Sequence, residues 1–549
     1  MLDEFSDYYA DFLDGTYDCV DRIVLNAYFQ MGQRAAGFRT WWRQLKGSDD
    51  DLDNAHLMRM AGRLSRRVRA HAKAKQIQLI DCKSGERKHQ IAEQYVPTDP
   101  DFIGVYLILV GRAPAPLWDV RCSSKGKIVN IVRKEPWRYV NHYSFYVVDP
   151  EWGRLVIKLC GHPPFGAQIV LNGHEYVARQ IQKENLDFAK EGNCFTQILD
   201  ATRLAQVADT LCLPDTIGRL SQVCDRWIYS ACLCFALDQA EQERSGFHYN
   251  YSVYQAEYSR NLLFTRGAIL DQVFHGVVER TRVRLDVKVL KTIFGTKKRP
   301  YRHKGKKSPR LEVVIERPAY DLTVFKIHFG KLTAKMYTKG ECVLRVEVVV
   351  HNTHALPCGR SLPKFPDIIS RLKDILSRFL QTVHRVDVSC IDVSTWETLH
   401  TASQVGRMRV GGIDLNQARM QAVIDAVISL AAAPQGFRSS DVAVKARAIR
   451  GLSEGAYTAR QAAYDLKKLR GKNLVRLVPK SRRYEVVPKG LQTLTALLVL
   501  RDRVIKPVLA GVGKPKRGPK PKNRSPLDVQ YETVHTEMRN LLQIIGIAV

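Results

Sequence analysis

The sequence predicts a multidomain α+β protein, with helical N-terminal and middle regions separated by β-rich segments. Two observations predict this class. A chain of 549 residues is long enough for about three domains. Amphipathic stretches of helical period and apolar runs typical of strands also occupy different parts of it. The composition adds a third constraint, since 85 Lys and Arg against 55 Asp and Glu give a formal net charge of +30. Such an excess favours a polyanionic partner, most often nucleic acid.

Composition and pattern divide the chain into seven expected segments. They are a helical basic region at 1–95, a β-rich domain at 96–190, a helical region at 191–295, a basic linker at 296–310, an α+β domain with a central hairpin at 311–433, a helix–helix–hairpin domain at 434–510, and a basic tail with a terminal helix at 511–549. Within these segments we expect a helix over Tyr254–Arg282 and a loop over Val405–Gly412.

The chain predicts a cytoplasmic protein. It has no apolar run of about 20 residues that would span a bilayer, so a membrane is not expected as a partner. Its first residues, MLDEFSDYYADFLDG, are acidic, which argues against a secretory or mitochondrial presequence. The twelve cysteines are scattered without a C-x-x-C pair, so we expect reduced, structural thiols and no zinc ribbon. The oligomeric state stays open.

The stretch Leu332–Asn352 predicts a β-hairpin with candidate chemistry on one face. Two runs rich in Val, Thr and Leu flank Thr338-Lys339-Gly340, where a tight turn needs its glycine. Side chains alternate along a strand, so two pairs would share a face: Lys335 with Tyr337, and Arg345 with Glu347. A tyrosine beside two cations has a stabilised phenolate and can act as a nucleophile, and a carboxylate nearby can serve as a base or metal ligand. The alternative is a solvent face with cross-strand charge pairs.

A basic linker precedes this hairpin. Residues 297–310 contain eight Lys or Arg, beginning with Lys297, Lys298 and Arg299, and no Asp or Glu. Proline and glycine within it favour a loop that contacts phosphates without reading sequence. A merely solvated linker is the alternative.

Residues 434–510 have the most specific pattern in the chain. One helix is expected from Ser439 to Gly451, and Thr458 with Gln461 predicts a capping box at the start of a second. Two strands follow, joined by Pro479–Arg483. From Arg438 to Arg539 there are 24 Lys or Arg and 8 Asp or Glu, so over half of the net charge lies at this end.

This order of helix, helix and basic hairpin resembles the winged helix-turn-helix of MarR-type regulators. The resemblance implies that the second helix enters the DNA major groove while the wing lies near the backbone. Residues expected to face base edges are Arg460, Gln461, Tyr464 and Lys467. Arg482 and Arg483 would then meet phosphates. A winged helix used for protein contacts is the alternative.

The tail segment Lys514–Lys522 resembles an AT-hook, which lies extended in an A·T minor groove. Arg517 and Lys520 would be its contact residues, and Pro519 stands where the usual core has a second arginine. A disordered basic tail is the alternative.

The hairpin also has a resemblance of its own. The pattern Lys335-x-Tyr337-x-Lys339 followed by Arg345-x-Glu347 resembles a strand pair of rolling-circle replication initiators of plasmids and filamentous phages. Those proteins nick one DNA strand through a tyrosine and use a metal ion. The resemblance implies Tyr337 as nucleophile, Glu347 as base or metal ligand, Lys335 and Arg345 as phosphate-neutralising cations, and Mg²⁺ or Mn²⁺ as cofactor. The metal ligands stay unknown, because the sequence lacks the His-hydrophobe-His signature of many such nickases.

Three hypotheses of function follow. The first is a DNA-binding, initiator-like strand-nicking protein of a bacterium or mobile genetic element. The second is a sequence-specific DNA-binding regulator without catalysis. The third is an RNA-binding component of a ribonucleoprotein, because charge alone does not separate DNA from RNA.

Overall fold

The structure confirms an α+β chain and divides it into two units. The computed structural model describes residues 3–124, 127–229, 233–282, 287–289, 311–316, 324–389, 397–506 and 525–544. The sheet unit consists of Tyr9–Phe274 and Leu290–Leu376. The terminal unit consists of Met1–Tyr8, His275–Val289 and Ser377–Val549. No helix of the described ranges is long and apolar enough to cross a membrane.

The strands are numbered in chain order. They are β1 Leu13–Tyr28, β2 Gln78–Asp81, β3 Gly104–Ala115, β4 Trp118–Cys122, β5 Ile128–Arg133, β6 Arg138–Asp149, β7 Gly153–Cys160, β8 Ala167–Asn172, β9 Phe188–Lys190, β10 Phe195–Ile198, β11 Asn250–Phe264, β12 Val287–Val289, β13 Leu311–Glu316, β14 Val324–Phe329, β15 Leu332–Lys339, β16 Val343–Val350, β17 Ser403–Val405, β18 Met408–Val410, β19 Val475–Leu477 and β20 Tyr484–Val486.

The helices are numbered in the same way, leaving aside short 3₁₀ and π segments. They are α1 Glu4–Tyr8, α2 Ala35–Lys46, α3 Asn54–Ala74, α4 Lys88–Glu93, α5 Gly173–Lys183, α6 Ala201–Asp209, α7 Thr216–Cys224, α8 Gln239–Ser245, α9 Gly267–Arg282, α10 Phe365–Asp387, α11 Ala418–Leu430, α12 Ser439–Arg450, α13 Ala459–Gly471, α14 Pro488–Leu500 and α15 Pro526–Ile544.

One long sheet organises the sheet unit. Within this unit its order is β13-β14-β15-β16-β11-β1-β8-β7-β6-β3-β2. The neighbours are antiparallel except for the pair β2 and β3. The two longest strands, β1 and β11, pair with each other at the centre, and each also pairs with the last strand of a meander, β8 and β16 respectively. All eight residues of β16 are buried, as expected of a strand covered on both faces.

Two regional predictions of helix are wrong. The region 1–95 contains the central strand β1, and the region 191–295 contains β11, so the helix predicted from Tyr254 begins only at Gly267. Both strands carry polar residues on a face that is itself buried, and this blurs the apolar alternation that identifies a strand. The loop predicted over Val405–Gly412 is also wrong, because β17 and β18 form a hairpin there.

The terminal unit contains a helical group followed by a small hairpin. Helix α11 is apolar nearly all round, with Val423, Ile424 and Val427 fully buried, as expected of a central helix. Helices α12 and α13 follow it, then the antiparallel pair β19 and β20, then α14. Gly451 ends α12 in the left-handed conformation, and Thr458 with Gln461 forms the predicted capping box of α13. The element order predicted for 434–510 is therefore confirmed.

A close approach of helix α5 to strand β1 generates a test of the packing. A Cβ added at Gly173 would lie 1.8 Å from the carbonyl oxygen of Val20. Because a backbone oxygen cannot move aside cheaply, Gly173→Ala should lower the free energy of unfolding by at least about 1–3 kcal/mol, as measured by urea denaturation. Gly218→Ala is the control, since that exposed helical position has nothing within 4 Å and should gain about 0.5–1 kcal/mol. Equal stabilities of the two variants would contradict the packing.

Candidate functional site

The predicted hairpin consists of β15 and β16, and its register brings the four candidate side chains together. Lys335 lies opposite Glu347, and Tyr337 lies opposite Arg345. Gly340 follows β15 with a φ of +59°, the left-handed conformation that favours glycine in a tight turn. All four residues therefore share one face of the sheet.

Glu347 accepts hydrogen bonds from two other members of this group. The Tyr337 hydroxyl donates a hydrogen bond of 2.8 Å to Glu347 Oε2, while Lys335 Nζ donates one of 3.1 Å to Oε1. Burial raises the pKa of Tyr337 well above its ordinary value, and the Glu347 carboxylate raises it further. The expected stabilised phenolate is therefore wrong for this arrangement. The carboxylate that accepts the phenol proton is instead placed as a potential general base.

The Arg345 side chain is buried in the interior of the sheet unit. Its side chain is 0% exposed and forms an ion pair with Asp21 of β1. Its Nη1 also donates to the backbone oxygen of Asn193 at 2.6 Å and to Asn261 Oδ1 at 3.2 Å. With its guanidinium occupied in this way, Arg345 is not open to a phosphate. Lys335, whose side chain is 26% exposed, is the more accessible cation of the group.

Asp21 has a second basic partner in His174 of helix α5. His174 Nδ1 lies 2.6 Å from Asp21 Oδ1, and both side chains are buried. Burial alone would raise the pKa of Asp21, but Arg345 and His174 outweigh it and hold that pKa below its usual range. Burial lowers the pKa of His174, so its imidazole is neutral at pH 7. Sequence analysis missed this Asp21–His174–Arg345 arrangement, because the three residues lie more than 150 positions apart along the chain.

A second carboxyl group lies beside Glu347 on the neighbouring strand β11. Ser259 is opposite Glu347 and Glu257 is opposite Val349, so Glu257 lies diagonally from Glu347 on the same face. Burial raises the pKa of Glu257 to about 7, with further contributions from the Glu347 and Asp21 charges. Glu257 also accepts a hydrogen bond of 2.7 Å from Gln255 Nε2. Glu257 therefore titrates near neutral pH.

The residues of this face do not fit the divalent metal that the initiator resemblance implied. Within the ranges that the structure describes, no group of three or more His, Cys, Asp or Glu side chains could hold an ion. His351 Nε2 contacts the Thr333 hydroxyl at 2.9 Å, and His162 is buried with its Nδ1 3.0 Å from the Pro163 oxygen. The described part of this face therefore offers no set of side chains for a metal ion.

The predicted base-contacting residues lie on helix α13. Arg460 and Tyr464 are exposed, Tyr464 by 43%, and the ammonium of Lys468 lies 5.4 Å from the Tyr464 ring centroid. Gln461 is exposed, but its Oε1 accepts from the Thr458 backbone at 2.8 Å, so this oxygen caps the helix. Lys467 is half-buried, and its Nζ lies 3.8 Å from Met408 Sδ.

The two predicted wing arginines differ in availability. Arg482 is exposed between β19 and β20. Arg483 is half-buried and donates a 3.0 Å hydrogen bond to the oxygen of Gly436, which holds the hairpin against the start of the helical group. Arg482 is therefore the better placed of the two for a phosphate.

Two features of the terminal unit were missed by sequence analysis. The hairpin of β17 and β18 carries exposed Arg407 and Arg409 and contacts α13 through Met408. Asp465 is buried on α13, where it accepts hydrogen bonds from Tyr457 at 2.8 Å and Arg419 at 3.2 Å. Gly406 between the two strands and Gly411 with Gly412 after β18 were the sequence feature that could have indicated a hairpin.

Several predicted contact residues lie outside the described ranges. They are Lys297, Lys298 and Arg299 of the linker, and Arg517 and Lys520 of the tail. Their roles stay predictions.

The Glu257 environment predicts a pH dependence of stability. The pKa of Glu257 is raised from 4.5 to about 7, so the unfolded chain loses this proton first and stability falls as the pH rises through that interval. Glu257→Gln removes the titration while keeping an acceptor for Gln255. The urea midpoint of the variant minus that of the wild type should therefore increase as the pH rises from 5 to 8. Glu135→Gln, at an exposed position, is the control. A pH-independent difference between Glu257→Gln and the wild type would contradict this assignment.

Comparisons with protein-family models, with curated proteins and with solved structures found no match, so the chain is assigned to no family, and the resemblances drawn from its motifs stay predictions.

Proposed function

We propose that this protein binds DNA through a winged helix formed by α12, α13 and the β19–β20 hairpin. The observation that carries the proposal is the exposed cationic and aromatic surface of α13, directly before a basic hairpin. A helix with exposed Arg460 and Tyr464 suits a major groove, whose base edges accept hydrogen bonds from arginine. Arg482 on the hairpin suits the phosphate backbone.

The buried side of α13 supports this proposal. The capping box fixes where the helix begins, and Asp465 ties it to Tyr457 and to Arg419 of α11. A helix held in this way presents its exposed residues in one orientation, which lowers the conformational entropy lost on binding. Sequence-specific recognition requires such positioning.

Arg482→Ala should weaken binding of the full-length protein to any duplex, with little dependence on sequence. If Arg482 neutralises one phosphate, the slope of log K against log salt becomes shallower by about 0.9, as measured by fluorescence anisotropy at several salt concentrations. Lys183→Ala is the control, because it removes an exposed cation of the sheet unit, outside residues 434–510, and should leave the slope unchanged.

An unchanged slope for Arg482→Ala would contradict a phosphate contact at the wing. Competition separates the RNA hypothesis: a structured RNA that displaces the duplex at lower concentration than unlabelled duplex would replace DNA with RNA as the partner.

A second candidate function is strand cleavage by Tyr337, and the observation that favours it is the hydrogen bond from Tyr337 to Glu347. In this step Glu347 takes the phenol proton as Tyr337 Oη attacks a phosphodiester. A bond between Oη and phosphorus forms, the bond from phosphorus to one sugar oxygen breaks, and that oxygen takes a proton from water. Lys335, which donates to Glu347 and is 26% exposed, is the cation that would meet the phosphate charge.

Tyr337→Phe should abolish any covalent protein–DNA product, because it removes the attacking oxygen. The assay incubates full-length protein with supercoiled and single-stranded DNA from the neighbourhood of its gene, with Mg²⁺, with Mn²⁺ and with chelator. Glu347→Gln should slow the same product by about 10²–10⁴-fold, since it removes the base but keeps an acceptor for the hydroxyl. Duplex binding should stay unchanged in both variants.

Nicking that persists in Tyr337→Phe would place the nucleophile elsewhere. Tight binding without cleavage by the wild type would favour the regulator without catalysis, and would make the Tyr337–Glu347 pair a structural feature of the sheet.

A further inference from the structure

A two-stranded ribbon extends from the sheet unit at the far end of β3 and β6. Strand β7 ends with Cys160 opposite His142, so beyond that point β6 pairs with β3 alone on the described chain. The ribbon pairs Arg112 with Asn141 and Pro114 with Tyr139. The hairpin of β4 and β5 is inserted between its two strands in the chain order.

Large aromatic side chains are exposed on this ribbon. Trp137 is 53% exposed and Tyr139 is 62% exposed, and Val129 of β5 reaches 70%. Trp137 lies one residue before β6 and two before Tyr139, and Pro114 and Arg112 share the side of Tyr139 through their register with β6. A tryptophan exposed to this extent, so close along the chain to an exposed tyrosine, adds apolar ring surface that water solvates poorly.

The same segment is strongly basic. Residues 112–141 contain seven Lys or Arg and two Asp or Glu. Exposed cations include Arg112, Arg121, Lys127 and Arg138. One of the two acids, Asp119, forms ion pairs with Lys134 at 3.2 Å and with Arg121 at 3.7 Å. The charge around the aromatic residues therefore favours an anionic partner over an apolar protein surface.

The base of the inserted hairpin is held rigidly. Trp118 is buried and donates a 2.9 Å hydrogen bond to the oxygen of Gly32, and the Arg133 guanidinium lies 3.8 Å above the Trp118 ring. Arg133 also donates to the oxygens of Pro116 and Gln33, at 2.8 and 3.1 Å. The exposed aromatic residues therefore lie next to an anchored base, so little conformational entropy is lost when a ligand stacks on them.

We infer that this ribbon is a binding site for single-stranded nucleic acid, in which unpaired bases stack on Trp137 and Tyr139 while the surrounding cations contact the phosphates. Base faces are covered in a duplex and open in a single strand, so a stacking surface selects the single strand. The inference rests on the sheet unit alone and does not depend on the proposed winged helix or on cleavage.

The test measures binding of full-length protein to a fluorescein-labelled 20-nucleotide oligo(dT). The double variant Trp137→Ala/Tyr139→Ala should bind this strand at least about tenfold more weakly, because each stacked base contributes strongly. Trp137→Phe/Tyr139→Phe keeps both aromatic faces and should bind within about threefold of the wild type. Arg138→Ala should instead make the salt slope shallower by about 0.7, the value for one phosphate of a single strand.

Two controls make the result specific. Tyr95→Ala removes another exposed aromatic residue of the sheet unit, 39% exposed, and should leave affinity unchanged. An abasic strand of the same length carries the phosphates without bases, so the wild type and the double alanine variant should bind it equally. Equal affinity of these two proteins for oligo(dT) would overturn the inference. So would a double alanine variant that loses only self-association, measured by sedimentation, because the ribbon would then be a protein interface.

Discussion

The buried ion pair of Arg345 and Asp21 is the interaction on which the organisation of the sheet unit depends. Removing two charges from water is costly unless each finds several partners, and here Asp21 has His174 while Arg345 has Asn193 and Asn261. Removing one member of such a pair typically costs about 3–5 kcal/mol, because the other charge stays buried without compensation. The pair and its partners therefore connect β1, β11, β16 and helix α5.

This pair also decides what the neighbouring polar residues can do. Because Arg345 is buried and paired with Asp21, the Tyr337 hydroxyl keeps its proton and donates it in a hydrogen bond to Glu347. Any reactivity at Tyr337 then depends on Glu347 as a base, whose other carboxylate oxygen accepts a hydrogen bond from Lys335. The buried Asp21–His174–Arg345 arrangement orients the strands beside it. The half-buried residues next to it, Lys335 and Tyr337, are the ones that can contact a substrate.

The sequence predicts local features of this protein well and long-range ones poorly. The Lys335–Glu347 register follows from strand alternation and one turn glycine, and the Thr458–Gln461 cap follows from a four-residue motif. Strand β1 was predicted as helix, since its polar residues Asp18 and Asp21 have partners more than 200 positions away and so disturb the strand pattern. The exposure of Tyr139 on β6 likewise depends on where β7 ends, which no local pattern gives.

The two proposed nucleic-acid surfaces differ in the physical property that they recognise. Helix α13 presents hydrogen-bond donors, which read base edges in the groove of a closed duplex. The ribbon at Trp137 presents ring faces, which suit bases that have already left the stack. The net charge of +30 attracts the phosphates of duplex and single strand alike. If both proposals hold, selectivity between duplex and single strand comes from side-chain shape, because net charge attracts either form.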